Sequence, residues 1–363
     1  WLDVVRLIAM FTVVCCHCTD PFNFYPGDSP IIGDIKFWGA AYGAFLRPCV
    51  PLFVMITGAL LLPVREETSI FYKKRILRVF WPFLIWSVIY NLFPWFTGLL
   101  GLRPELILDF FPYSGEEVTR QSLSVSLGYI AQIPFNFSLL DVHMWYIYLL
   151  IGLYLYLPIF SAWDKAKLWF LAGWGVTLFI PYYREFVSPY IWGGCSWNEF
   201  SMLYYFAGFN GYLLLGHYLR NHDWSLGKIV GIGIPMFVVG YAITFFGFRY
   251  TTALPAYTEE QLELFFYYCS PNVVMMTIPI FLLAKKVKSD TIKRMLANLT
   301  ICGFGIYMVH YFFTGPSVLL ARALNIPLGL QIPAASVVAF AVSWLIVLGI
   351  RKICGKKAKY IVG

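Results

Sequence analysis

Leu2-Asp-Val-Val-Arg-Leu-Ile-Ala-Met-Phe-Thr-Val-Val-Cys-Cys-His-Cys-Thr-Asp20 is an apolar run interrupted by four ionisable side chains, Asp3, Arg6, His17 and Asp20. Its length suits one crossing of a hydrocarbon layer about 30 Å thick. Arg6 and His17 are eleven residues apart. In an α-helix that spacing returns to nearly the same face about 16 Å further along the axis. One stripe therefore carries a cation near one end and an imidazole three turns deeper. Ionisable groups are expensive inside a bilayer, and they mark functional sites there.

The rest of the chain extends this pattern. Of its 363 residues, 60% are hydrophobic and only 13% charged, against about 25% charged in an ordinary soluble domain. Mean hydropathy is +0.69. These values exclude a soluble globule and predict an all-α, polytopic integral membrane protein, a single domain over 1–363. Ten apolar stretches are long enough to cross: 2–20, 38–62, 76–97, 143–161, 166–183, 201–219, 228–247, 264–284, 300–321 and 331–350. Pro82 and Pro94 split the third and Gly315-Pro316 lies in the ninth, where kinks or breaks are expected. The longest connection, 98–142, contains two short helical patterns, Leu106–Phe111 and Leu123–Ile133, that suit the membrane interface.

Charge orients the spans. Connections around 65–78, 165–167, 220–228, 285–294 and 351–359 hold most of the 27 lysines and arginines. The alternate connections are acidic, with Asp28, Asp34, Glu105, Asp109, Asp141, Glu185 and Glu259 among them. By the positive-inside rule both termini are cytoplasmic and the 98–142 connection lies outside. The net charge of +8 is then a signal of topology and of attraction to lipid head groups, not of nucleic-acid binding.

Several residues stand out for chemistry. A neutral His17 can take a proton from a hydroxyl near pH 7, with Asp20 orienting the ring or stabilising its charged form. A bond from His17 to a neighbouring helix carbonyl is the structural alternative. Lys74, Arg75 and Arg78 lie in a basic stretch before the third apolar segment. Arg75 and Arg78 are three apart on one helical face, where guanidinium forks suit phosphate oxygens. Anchoring on anionic lipid is the alternative for them. Arg47 lies inside an apolar stretch beside Pro48 and Pro51, where irregular backbone requires a protein-lined or wet surrounding. His143 and Trp145 open the fourth span, and His310 lies at about the depth of His17. Cys15-Cys16-His17-Cys18 points around most of a helix, so no metal site is expected. The eight cysteines read as small apolar residues. No Walker loop, His-Glu-x-x-His or Gly-x-Ser-x-Gly occurs.

Five segments, taken in order, resemble one known family. The first is Arg6 with His17 after ten intervening residues, and the second is Val50-Pro-Leu-Phe-Val-Met-Ile-Thr-Gly58. The third is Arg75-Ile-Leu-Arg78, and the fourth is His143-Met-Trp-Tyr-Ile-Tyr-Leu-Leu-Ile-Gly-Leu-Tyr154. The fifth is Gly305-Ile-Tyr-Met-Val-His310. Together they resemble the acyltransferase-3 superfamily of integral membrane enzymes, with Thr57 where serine is more usual. The resemblance implies about ten transmembrane helices in the inner (plasma) membrane. It implies acyl transfer, commonly of acetyl, from cytoplasmic acetyl-coenzyme A to a hydroxyl of a cell-envelope glycan or lipid-linked sugar. The pattern is nearest to bacterial surface-polysaccharide O-acetyltransferases, and no fused soluble domain is expected. On this reading His17, Arg6 and Asp20 are catalytic, Arg75, Arg78 and Lys74 hold the coenzyme's phosphates, and Arg47, His143, Trp145 and His310 contact the acceptor. The rival reading is a transporter or glycan exporter that lines its path with the same buried charges.

Overall fold

A computed structural model describes residues 1–23, 33–111, 116–163, 165–199, 201–287 and 290–363. Asp28 and Lys288 of the charge pattern lie outside the described residues. The described chain is helical, with one isolated bridge between Cys195 and Asn198. In order the helices are α1 (Leu2–Cys18), α2 (Asp20–Asn23), α3 (Asp34–Leu46), α4 (Cys49–Leu61), α5 (Thr68–Leu99), α6 (Leu106–Phe110), α7 (Leu123–Gln132), α8 (Trp145–Ala162) and α9 (Ala166–Thr177). They continue as α10 (Ile180–Phe186), α11 (Asn210–Asn221), α12 (Leu226–Lys228), α13 (Ile234–Thr251), α14 (Glu259–Glu263), α15 (Pro271–Lys285), α16 (Asp290–Val309), α17 (Tyr311–Ala323) and α18 (Leu328–Cys354).

Among the described residues six stretches are long and apolar enough to cross a membrane: Leu2–Asn23, Asp34–Leu61, Thr68–Leu99, Val142–Ala162, Leu226–Thr251 and Leu328–Tyr360. The bent pair Leu296–Val309 and Tyr311–Ala323 makes a seventh if it counts as one span. Ten were expected. The shortfall falls on 166–183, 201–219 and 264–284. The first is divided between α9 and α10, with Pro181 just inside the second helix. In the next stretch the regular helix is the 12-residue α11, which begins after Gly208 at φ +85°. The last is α15, 15 residues starting at Pro271, where a missing N–H is no loss. At 1.5 Å per residue it is about 22 Å long. Hydropathy reports apolar surface and is blind to these starts and stops.

Three local expectations are also corrected. The basic stretch before the third span is not a connection, because α5 starts at Thr68 and carries Lys74, Arg75 and Arg78 in its first three turns. Its 32 residues include Pro82 and Pro94 without a break. Gly315-Pro316 lies inside α17, and the chain turns by 84° at His310 instead. Gly315 serves close packing: a Cβ there would collide with the backbone carbonyls of Asp109 and Phe110 in α6. By contrast, the irregularity expected near Pro48 is present, since α3 ends at Leu46 and α4 starts at Cys49.

The helices form two compact units. The first comprises 1–9, 43–66 and 153–294. Here α4 lies against α11 through Gly58 and Gly216, whose hydrogens face the carbonyls of Leu213 and Met55. Close backbone approach over small residues is how helices gain dispersion energy where the solvent is itself apolar. Lys285 closes α11 by donating to the Leu219 carbonyl at 2.6 Å. Lys286 donates to Asp223 at 2.7 Å and holds that carboxyl below its usual range. Between α13 and α15, Asn272 donates to Thr244 at 2.8 Å and accepts from the Tyr182 hydroxyl at 2.8 Å.

The second unit comprises 10–42, 67–152 and 295–363. In it α5 carries α7, and α17 packs on α18 and α6. Trp86 donates to the Ile361 carbonyl at 2.8 Å, and Tyr42 to that of Gly329 at 2.8 Å, tying distant segments to the long helices. Replacing Gly58 or Gly216 by Ala forces a methyl into a carbonyl. Each change is expected to cost about 1–3 kcal/mol and to lower the midpoint of thermal unfolding in detergent. Gly175→Ala, where a Cβ meets open space, is expected to leave that midpoint in place.

Candidate active site

Three segments of the second unit place a histidine each, and each is held by local hydrogen bonds. Helix α1 stops at Cys18 because Thr19 turns back on Cys16: its N–H and hydroxyl both donate to that carbonyl, at 3.0 and 2.6 Å. The turn starts α2 at Asp20 and brings the Asp20 carboxylate to 3.0 Å from His17 Nδ1. A neutral imidazole that gives its Nδ1 proton to a carboxylate carries its lone pair on Nε2. The His17 side chain is 19% exposed and that of Asp20 13%, so the pair is sheltered but not sealed.

His310 sits at the joint between α16 and α17. A turn of 84° there takes the carbonyls at the end of α16 out of helical register. The Tyr90 hydroxyl of α5 is within donating distance of two of them, Met308 at 2.9 Å and Val309 at 3.3 Å. The Tyr90 ring stacks on Phe312 at 4.0 Å. His310 Nδ1 is 2.7 Å from the Tyr307 carbonyl, an acceptor that requires the proton on that nitrogen. The ring is wholly buried.

His143 is set by the turn before α8. The Asp141 carboxylate accepts from the Ser138 N–H at 2.7 Å, the Ser138 hydroxyl at 2.9 Å and Asn91 Nδ2 at 3.4 Å. Tyr307 donates its hydroxyl to the His143 carbonyl. Asp141 is 0% and His143 1% exposed.

These supports bring the rings together. Centroids are 5.4 Å apart for His17 and His310, 5.2 Å for His143 and His310, and 6.3 Å for His17 and His143. Tyr311 lies 5.0 Å from His17 and 4.9 Å from His143. The similar depth of His17 and His310 was visible in the sequence. The third imidazole was not linked to them, and neither were Tyr90 and Tyr311, two of 25 tyrosines that no spacing singles out. Among the described residues no three His, Cys, Asp or Glu side chains are disposed to hold one metal ion.

The other sequence-derived candidates are placed as follows. Arg6 is on α1 with His17, pairs with Asp3 at 3.0 Å and belongs to the first unit. Arg47, in the same unit, is buried in the break between α3 and α4. Its guanidinium lies 4.3 Å from the Phe266 ring centre and 5.5 Å from that of Tyr268. In the second unit, Lys74 and Arg78 are exposed on α5 and Arg75 is half-buried. Trp145 is the first residue of α8, half-buried beside Tyr146.

A family model, the acyltransferase domain of the acyltransferase-3 family, matches residues 1–348. The chain belongs to that family. Comparison with curated proteins and with solved structures gives no match. Acyltransferase-3 membership implies membrane acyltransferase activity, and the helices long enough to cross agree with a multi-pass protein. In this acyltransferase-3 chain the Tyr90 hydroxyl supports the histidine joint. Tyr90→Phe keeps the stack on Phe312 and strips the donor from buried carbonyls, at a cost of about 1–3 kcal/mol. The expected result is a lower thermal midpoint with helix content unchanged by circular dichroism.

Proposed function

We propose that this protein is a membrane O-acyltransferase of the cell envelope. It moves an acetyl or other short acyl group from cytoplasmic acyl-coenzyme A to a hydroxyl of a glycan or lipid-linked sugar. The observation that carries this reading is the His17–Asp20 pair, a partly exposed imidazole with a carboxylate at 3.0 Å, in a chain of acyltransferase lineage. Hydroxyl-to-thioester transfer needs a base whose proton affinity suits neutral pH, held in one tautomer.

The steps follow from that pair. His17 Nε2 takes the proton of the acceptor hydroxyl as its oxygen attacks the thioester carbonyl. The carbon–sulfur bond breaks, and the departing thiolate takes the proton from the imidazolium. Asp20 keeps Nδ1 protonated throughout and stabilises the transient cation. Arg6 is assigned to the donor arm or to the developing oxyanion. Lys74, Arg75 and Arg78, clustered in the first turns of α5, are assigned to the coenzyme's phosphates. Arg47 and Trp145 are assigned to the acceptor with His143 and His310. The positive-inside charge pattern supports cytoplasmic termini and a donor entering from that side. Family membership weighs against the exporter reading.

Binding and transfer are separable. Arg78→Ala is expected to weaken acetyl-coenzyme A binding about tenfold by calorimetry. His17→Ala is expected to retain donor binding and to reduce transfer by about 10²–10⁴-fold, leaving envelope glycans without the acyl mass increment in mass spectra. A purified protein that binds no acetyl-coenzyme A would overturn the reading. A stable acyl adduct on His17 after addition of donor alone would replace direct transfer by a covalent route.

A further inference from the structure

The first unit holds a cleft of about 470 Å³, a volume in the range of small-ligand sites, that the transfer step does not use. Its floor is one stripe of α9. Ala172, Gly175, Val176 and Phe179 line it and recur at three- and four-residue steps, so they share a helical face. Leu178 and Phe179 keep helical dihedrals past the end of α9, so the stripe runs about 10 Å along the axis. A methyl group on Gly175 would meet nothing within 4 Å, so this glycine leaves a trough and makes no packing contact. Tyr183, Tyr190 and Trp192 add aromatic rings to the lining. Trp192 is deliberately placed. Its φ is +43°, a left-handed backbone that costs a bulky residue free energy. The surrounding loop holds it there. The Trp192 carbonyl accepts from the Met202 N–H at 3.1 Å and that of Ile191 from the Gly194 N–H at 2.9 Å. Asn198 Nδ2 donates to the Gly193 carbonyl at 3.2 Å, and Cys195 and Asn198 exchange both backbone bonds.

The lining selects the chemistry of the occupant. It contains no charged, amide, serine or threonine side chain. A sugar or a peptide would leave hydroxyls or amides short of partners there, and an ion of either sign would find no counter-charge. A hydrocarbon chain needs neither. Exposure shows where such a chain comes from. Leu168, Val176 and Phe179 are 58%, 45% and 58% exposed, apolar surface that in a multi-pass protein faces lipid. Tyrosine and tryptophan beside it suit the level of the head groups. We propose that this cleft binds one acyl chain of a bilayer phospholipid, laid along the α9 stripe against Trp192. The site is independent of the acyl-transfer reading.

The test uses the full-length protein in vesicles of phosphatidylethanolamine and phosphatidylglycerol. A trace of the phosphatidylglycerol carries a diazirine midway along one acyl chain. After illumination the labelled residues are mapped by mass spectrometry. Val238 on α13, 56% exposed, reports chance contact with lipid. Residues 172–192 are expected to carry about fivefold more label than Val238, because a chain held in the cleft buries methylenes that a passing chain does not. Gly175→Leu fills the trough and is expected to cut cleft labelling about fivefold, with labelling of Val238 unchanged. Trp192→Gly accepts the positive φ without strain and removes the indole. It is expected to cut cleft labelling likewise, with a thermal midpoint no lower than that of the unaltered protein. Cleft labelling no higher than that of Val238 would overturn the proposal, as would labelling that Gly175→Leu and Trp192→Gly leave unchanged. Labelling displaced by added maltose would assign the cleft to a sugar and overturn it too. If one variant fails to fold, the other and the ratio in the unaltered protein carry the comparison.

Discussion

The contact on which the candidate site depends most is the Tyr90 hydroxyl on the carbonyls of Met308 and Val309. A chain that turns sharply inside an apolar layer must find internal partners for the backbone groups it takes out of the helix, since no water is there to supply them. Tyr90 does this from α5, and its ring stacks on Phe312 just past the turn. The turn in turn puts His310 at a joint, where one ring nitrogen is engaged by backbone and the other is not. Without that latch the free energy of the joint rises, and His310 loses its fixed position.

The same rule explains how each unit is held. Where helices come closest, as α4 and α11 do, glycine lets backbone meet backbone. Several buried polar side chains satisfy one another or a nearby carbonyl. Asn272 between Tyr182 and Thr244 is one case, and Asp141 between Ser138 and Asn91 is another. Lys285 and Lys286 occupy the end of α11, where a cation also suits the negative pole of the helix. Buried polar groups in both units therefore act as register pins, while dispersion supplies the bulk of the packing.

Much of this was legible in the residues themselves. Helicity, a membrane setting and family membership all follow from composition and from the five ordered segments. The pairing of His17 with Asp20 follows from a three-residue offset. The break at Arg47-Pro48 follows from proline chemistry. What was not legible needed the third dimension. The count of ten is met only by six or seven long apolar helices among the described residues, because apolar runs do not reveal where α9, α11 and α15 stop. Gly315-Pro316 looked like a hinge, but its glycine admits α6 and its proline is carried within α17. His143 is more than 100 residues from both other histidines, so only folding shows that it joins them. Tyr90 carries no signal beyond being a polar tip in an apolar segment.

Helix α5 has one more property with consequences for the site. Its 32 residues make a rod about 48 Å long, well over the roughly 30 Å of a bilayer's hydrocarbon. The guanidinium of Arg75 and the phenol of Tyr90 are both fixed to this rod, about 22 Å apart along its axis. Pro82 lies between them and removes one backbone hydrogen bond from the rod, so the helix bends most easily there. The basic end and the support of the histidine joint are thus carried by one helix, with its most compliant stretch between them.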